Sequence, residues 1–161
     1  MKDGCVLLDT NFFIRLLNEE DPLHKNIRGF YQHFLEKEFR LKFSTVSIAE
    51  FCVRGTVDEL PLPTIEILPF NINHASAAGE FTKLVLENRG GLELPNRHII
   101  KDDAKLFAQA HVEKEITTFA TSDAKLIKTY NFLKESTALE FDIINTGEPF
   151  TSVLGILPFP S

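Results

Sequence analysis

A chain of 161 residues with 43% hydrophobic and 25% charged side chains has the balance of an ordinary soluble protein, and its length suits one domain with one sizeable core. With 17 Lys and Arg against 23 Asp and Glu, the net charge of −6 excludes the broad attraction by which strongly basic proteins hold nucleic acid. A polyanionic partner would therefore need a local basic patch or bound cations. No apolar run reaches the roughly 18 residues that cross a bilayer. Asp3, Asp9 and Asn11 interrupt the region where a signal peptide would be apolar, so a cytoplasmic location with no membrane partner is expected. Cys5 and Cys52 both fall in apolar surroundings and are expected to be reduced core residues rather than a disulfide or a metal site.

Short apolar runs alternate with segments of helical period, the pattern of crossover units around a mainly parallel sheet, so an α/β fold is predicted. Cys5 to Leu8 reads as the first strand, followed by a helix from Asn11 to Asn18 and a longer one from Pro22 to about Glu38. On the latter, Ile27, Phe30, Phe34 and Leu35 recur at helical spacing. "LKFSTV" reads as a second strand and "SIAEFCVRG" as a short helix closed by Gly55. Three prolines punctuate "DELPLPTIEILPFN", which reads as a loop and then an extended piece from Ile65 to Phe70. "INHASAAGEFTKLVLEN" is a predicted helix ending at Gly90 and Gly91. After the loop "LELPNRH", a further helix runs to about Lys114, then strand "ITTFA", helix "DAKLIKTYNFLK" and strand "FDII". The core is expected to span about 4–146 of a single domain over 1–161, with the apolar tail 147–161 docking on the domain or on a second copy.

Four carboxylates sit where an apolar element begins or ends: Asp9, Glu50, Asp103 and Asp123. In an open parallel sheet the strand C-termini share one edge, and the loops beyond them form the ligand crevice. Asp9, Glu50 and Asp123 are expected there. Asp103 shares a helical face with Leu106, Phe107 and Ala110, whereas Asp102 lies with Lys105 and Gln109 on a more polar one, so Asp103 is expected to face the core side of the crevice. Each acid also has a structural reading. Ser47 and Glu50 fit a capping box, Asp102 and Asp103 could complement a helix dipole, and Asp123 could be a helix N-cap. Asp9 resists that reading, because an acid closing a buried strand must be paired, hydrogen-bonded or metal-bound.

Several carboxylates held together repel and destabilise the fold unless a cation compensates. All-oxygen ligation suits Mg²⁺ or Mn²⁺, and the absence of neighbouring Cys or His argues against zinc. Such ions would activate water and neutralise charge on a phosphodiester; two of them would bring the net charge of −6 to about −2.

These stretches resemble the PIN-domain nucleases. "VLLDTNFFI" is similar to that family's opening strand and acid, "TVSIAEF" to its Ser/Thr-x-x-Glu helix start, "DAKLFAQA" to its third acid, and "FATSDAKL" to its last. Order and separation agree from Cys5 to about Ile144. The resemblance implies a three-layer α/β/α fold and a metal-dependent endonuclease that hydrolyses RNA, as in the VapC-type toxins of toxin–antitoxin pairs. It implies that Asp9, Glu50, Asp103 and Asp123 are catalytic and ligate Mg²⁺ or Mn²⁺, that Asn11 and Ser122 line the site, that an antitoxin masks the crevice, and that the chain forms a homodimer. Two features depart from the pattern: Leu126 stands where many members carry an aromatic residue, and "DELPLPTIE" stands where helix is common.

Arg15, Arg54, Arg97, His98 and Lys101 lie near site-facing segments, but the sequence does not assign any of them to phosphate. No H-E-x-x-H, G-x-S-x-G, Walker or dinucleotide glycine pattern is present. Two other readings stay open: a PIN-like module that binds RNA or protein without cutting, and a phosphotransfer protein with a strand-end aspartate. Against the dehalogenase form of the latter stands Asn11, where a second acid would be needed.

Overall fold

The computed structural model describes residues 4–88 and 97–155, with the backbone alone for 97–101. Five strands, β1 (Cys5–Leu8), β2 (Arg40–Ser44), β3 (Glu66–Leu68), β4 (Ile116–Thr121) and β5 (Asp142–Asn145), form one all-parallel sheet in the order β3-β2-β1-β4-β5. The helices are α1 (Thr10–Leu16), α2 (His24–Glu36), α3 (Thr45–Phe51), α4 (Ile72–Glu87), α5 (Arg97–Val112), α6 (Ala124–Ser136) and α7 (Phe150–Val153). The proline-rich stretch forms two single 3₁₀ turns, Val57–Glu59 and Leu62–Thr64, ahead of the short edge strand β3.

β1 is central and buried on both faces, which is why it reads as an unbroken apolar run instead of an alternating one. Cys5 and Leu7 pack with α4, α5 and α6 through Phe81, Phe107, Leu126 and Leu133. Val6 and Leu8 pack on the other side with Phe12 and Phe13 of α1 and Ile27, Phe30 and Phe34 of α2. The result is three layers, helices on both faces of a parallel sheet; the alternating pattern predicts the parallel sheet, and the family resemblance implies the three layers. Phenylalanine dominates both cores, with edge-to-face pairs such as Phe13–Phe43 at 4.9 Å and Phe107–Phe119 at 5.3 Å between ring centroids.

Caps set several helix starts and account for the differences from expectation. Asp9 caps α1, which therefore begins at Thr10 and not Asn11. The hydroxyl of Ser44 accepts from the N–H of Val46, so β2 stops there and α3 begins at Thr45. The expected capping box at Ser47 and Glu50 is corrected: both lie inside α3, and Ser47 is fully buried with its hydroxyl unpartnered. Asn71 caps α4 in a reciprocal box with His74, whose Nδ1 accepts from the Asn71 N–H at 3.0 Å while its Nε2 lies 2.8 Å from Glu113. α4 ends at Glu87; Gly90, Gly91 and the following loop lie outside the described residues. Gln109, expected on the polar face of α5, is instead fully buried and donates to the Leu68 carbonyl at 3.4 Å. Cys5 is buried as expected, but Cys52, at the end of α3, is exposed; both are free.

At the N-terminal edge of the sheet four charges alternate. Arg40 pairs with Glu66 (2.8 Å) and Glu115 (2.7 Å), and the nearly buried Lys42 pairs with the same two acids (3.1 and 2.7 Å). Arg40, then Lys42, hold the Glu66 carboxyl down at about 2. At the C-terminal end, Asn26 of α2 donates to the carbonyls of Thr146 and Glu148 and accepts from the N–H of Phe150. That seats the Phe150 ring over Gly29, where a Cβ would come within 2.4 Å of it. The start of the apolar tail thus packs on its own chain; residues 156–161 lie outside the described ones.

α2 ends in a Schellman turn. The N–H of Phe39 reaches the Phe34 carbonyl (2.9 Å), that of Glu38 reaches Leu35 (3.1 Å), and the Phe34 and Phe39 rings meet at 5.4 Å. The residue in the left-handed position is Glu38, with φ of 56°, where glycine carries no Cβ penalty. Glu38→Gly is expected to stabilise the protein by about 1 kcal/mol in urea unfolding, and an unchanged or lowered midpoint would refute this account of the turn.

Candidate functional site

The strand order reverses direction between β1 and β4: the chain builds outward from β1 to β2 and β3, then crosses to β4 and β5. In an open α/β sheet the carboxyl ends flanking such a switch point leave a crevice that no connection covers. Asp9 follows β1 and Asp123 follows β4 by two residues, so two of the four predicted acids stand on either side of it. Glu50 is brought to the same edge by α3, which leaves the C-terminal end of β2, and Asp103 by α5.

Asp9 is only 4% exposed. One carboxylate oxygen accepts from the Thr10 N–H at 2.6 Å and the other from the Thr121 hydroxyl at 2.7 Å. The Thr121 hydroxyl in turn accepts from the N–H of Asp123 at 3.0 Å, so one side chain couples both strand ends. The Thr10 hydroxyl donates to Glu50 at 2.6 Å, tying α3 to the start of α1. Asp123 accepts from the N–H of Lys125 at 2.8 Å and does cap α6, so its structural reading holds alongside its place at the crevice. Asp103 faces inward with Leu106, Phe107 and Ala110, as its helical spacing predicts, while Asp102 pairs with Lys105 at 3.3 Å.

Asp103 carries the least compensated charge. It is 7% exposed, and one of its oxygens is buried with no hydrogen-bond partner. Burial, followed by the charges of Asp123, Asp9, Asp102 and Glu50, raises its carboxyl from 3.8 to about 8. Burial also raises Asp9 from 3.8 to about 6; the bonds from Thr121 and Thr10 oppose this, and Asp123 and Glu50 add to it. Asp9 and Asp103 therefore both feel the charges of Asp123 and Glu50. Among the described residues no three carboxylates stand close enough to enclose one ion. The donor set still fits a hard divalent cation: its donors are oxygens, and Asp103 presents an orphaned one.

Of the accessory positions, Ser122 accepts from the Arg15 Nε at 3.2 Å, and Asn11 lies half-buried on the first turn of α1. The side chains of Arg97, His98 and Lys101 lie outside the described residues. Arg54 is exposed and lines, with Glu50, Ile14, Leu17, Phe51 and Val53, a hollow of about 440 Å³ beside the crevice. Sequence reasoning did not find Thr10 and Thr121. The available signal was a hydroxyl next to each strand-end acid, one after Asp9 and two before Asp123.

No family model matches the chain, and none of the curated proteins matches it. Solved structures do. A VapBC2 from Rickettsia felis bound to a DNA fragment from its promoter aligns with a TM-score of 0.60 and 16% identity, over 87% of this chain and 97% of that one. VapC20 of Mycobacterium tuberculosis, a sarcin-ricin loop cleaving toxin, gives 0.55 and 16%, over 76% and 93%. A DNA-bound VapBC from Salmonella typhimurium gives 0.53 and 15%, over 89% and 98%. The chain has the PIN-domain fold of the VapC toxins. No described helix is long and apolar enough to cross a membrane.

A carboxyl raised on folding binds more protons in the native state than in the unfolded one, so its contribution is present below 3.8 and is lost as pH rises through the folded value. In metal-free buffer, stability is expected to fall by a few kcal/mol between about pH 4 and pH 8. Asp103→Asn should flatten the upper part of that decline. Thermal melts across the range check both, and a wild-type profile that rises toward pH 8 would contradict the assignment.

Proposed function

We propose that this chain is a divalent-metal-dependent endoribonuclease and the toxin member of a toxin–antitoxin pair. The observation that carries the reading is Asp103: a buried carboxylate with an unpartnered oxygen whose strongest electrostatic neighbours are three more acids of the same crevice and Asp102. Such a group is costly to keep unless its occupant is a cation. The VapC fold supports the same reading, and one solved neighbour is itself named as cleaving the sarcin-ricin loop.

In this reading Asp9, Glu50, Asp103 and Asp123 hold Mg²⁺ or Mn²⁺. The bound ion supplies charge for the phosphodiester and lowers the pKa of water. Thr121 fixes the Asp9 carboxylate and the backbone of Asp123 together, and Thr10 fixes Glu50. These hydroxyls fix the orientation of Asp9 and Glu50, and an ion would draw the acids closer together than they stand here. Asn11 and Ser122 line the crevice. The partners are an RNA, an antitoxin that covers the acidic edge, as the VapBC neighbours suggest, and a second copy of the chain.

Purified protein incubated with structured RNAs is expected to cut them only when Mg²⁺ or Mn²⁺ is present. Asp9→Asn and Asp103→Asn should each lose more than about a hundredfold in rate, and Thr121→Val about ten- to a hundredfold, as orienting partners of ligands do. Equal cleavage by wild type and Asp103→Asn would sink the proposal. RNA that is bound but left intact under every metal would instead support a non-catalytic binding module.

A further inference from the structure

We propose that Arg15 is the phosphate-binding cation of this site, holding the RNA strand beside the crevice while the acids hold the metal; this rests on the nuclease reading above. With a net charge of −6 and four acids at one edge, the protein must offset the RNA backbone locally. Two divalent ions would answer for the acids and the reacting phosphate, but the neighbouring phosphates of the strand still require a positive group.

Arg15 is fixed where that group is needed. It lies four residues after Asn11, on the same face of α1. Its Nε donates to the Ser122 hydroxyl at 3.2 Å, and Ser122 is bonded directly to Asp123. Its Nη1 donates to both oxygens of Asp21 at 2.9 Å. Asp21 is itself anchored by the N–H of Leu23 at 2.8 Å, and the Arg15 carbonyl accepts from His24 Nδ1 at 3.1 Å. The guanidinium is thus held through two of its nitrogens, the Arg15 side chain as a whole is 28% exposed, and Nη2 has no hydrogen-bond partner among the described residues. With Nε and Nη1 fixed, the remaining nitrogen, Nη2, is oriented and free to donate to a phosphate oxygen.

Other described cations are placed less well. Arg54, Lys125 and Lys128 are exposed, and ordering any of them on RNA costs side-chain entropy that Arg15 has already lost on folding. Arg15 could instead be only a strut joining α1 to the start of α2, and the roles differ in one measurable way. A strut depends equally on Arg15 and Asp21, whereas a phosphate contact belongs to Arg15 alone.

The test uses the Asp9→Asn protein at fixed Mg²⁺ with a short fluorescein-labelled single-stranded RNA, binding being followed by anisotropy over a range of salt. Adding Arg15→Gln is expected to weaken binding about tenfold at low salt and to reduce the slope of log affinity against log salt by about 0.7, one phosphate contact on a single strand. Asp21→Asn should keep the slope and bind at least as tightly, and Arg15→Lys should keep the slope with intermediate affinity. An unchanged slope in Arg15→Gln, the same loss in Asp21→Asn, or no RNA binding by the starting protein would overturn the proposal. Should Arg15→Gln fail to fold by circular dichroism, Arg15→Lys decides: a loss of about threefold or more at an unchanged melting temperature supports the guanidinium contact, and none overturns it. In the wild-type background, Arg15→Lys should raise KM more than it lowers kcat. Cleavage by the wild type is read separately. Cutting without an Arg15 effect removes only this inference, and an Arg15 effect without cutting removes only the nuclease reading.

Discussion

The burial of Asp9 and Asp103, sharpened by repulsion from Asp123 and Glu50, is the constraint on which the rest of this structure depends. Asp9 ends a strand that is buried on both faces, so its charge cannot be relieved by turning outward. The parallel sheet then delivers Asp123 to the adjacent strand end, and the helices bring Glu50 and Asp103 to the same edge. Hydrogen bonds to Asp9 and Glu50 relieve part of that cost. Thr121 and Thr10 each serve an acid, and Asp103, with one buried oxygen unpartnered, is the one most strongly driven toward its protonated form.

The two ends of the sheet make the point by contrast. At the N-terminal edge Arg40, Lys42, Glu66 and Glu115 alternate in sign, and each is satisfied by its neighbours within 3.1 Å. That cluster is closed and gives the strands a reason to stay in register, but it has no capacity left for a ligand. At the C-terminal edge Asp9, Glu50, Asp103 and Asp123 share one sign, and none of them has an ion-pair partner among the described residues. The same backbone geometry supports a finished structural cluster at one end and a site that asks for a cation at the other. Arg15 stands at the boundary between them in kind: paired with Asp21, yet with part of its guanidinium uncommitted.

Much of this was legible in the sequence because burial leaves a strong signature. Four apolar residues closed by an acid located β1 to the residue, and the three-four-seven spacing around Asp103 predicted its inward face. Errors arose where two residues of one chemical type competed. Ser44 and Ser47 can both cap a helix, and the strand register, not the local sequence, decides for Ser44. Gln109 reads as a surface residue, but the carbonyl of Leu68 lies above it, a contact across forty-one residues that no local pattern encodes. Cys52 sits among apolar neighbours in the chain yet falls at the exposed end of α3. Thr10 and Thr121 went unnoticed because a hydroxyl beside an acid is common; only the fold makes each one a bridge.

The outer strand β3 has a consequence beyond the site. It is three residues long, its first residue Glu66 is drawn into the ion-pair cluster, and Pro69 follows it at once. Its Ile67 is 41% exposed, so an apolar side chain stands on an unpaired rim. A longer, uncharged strand in that place would offer a ladder for a neighbouring molecule to extend, the usual opening step of sheet-mediated aggregation. Brevity, a locked carboxylate and a proline withhold that ladder at this edge of the sheet.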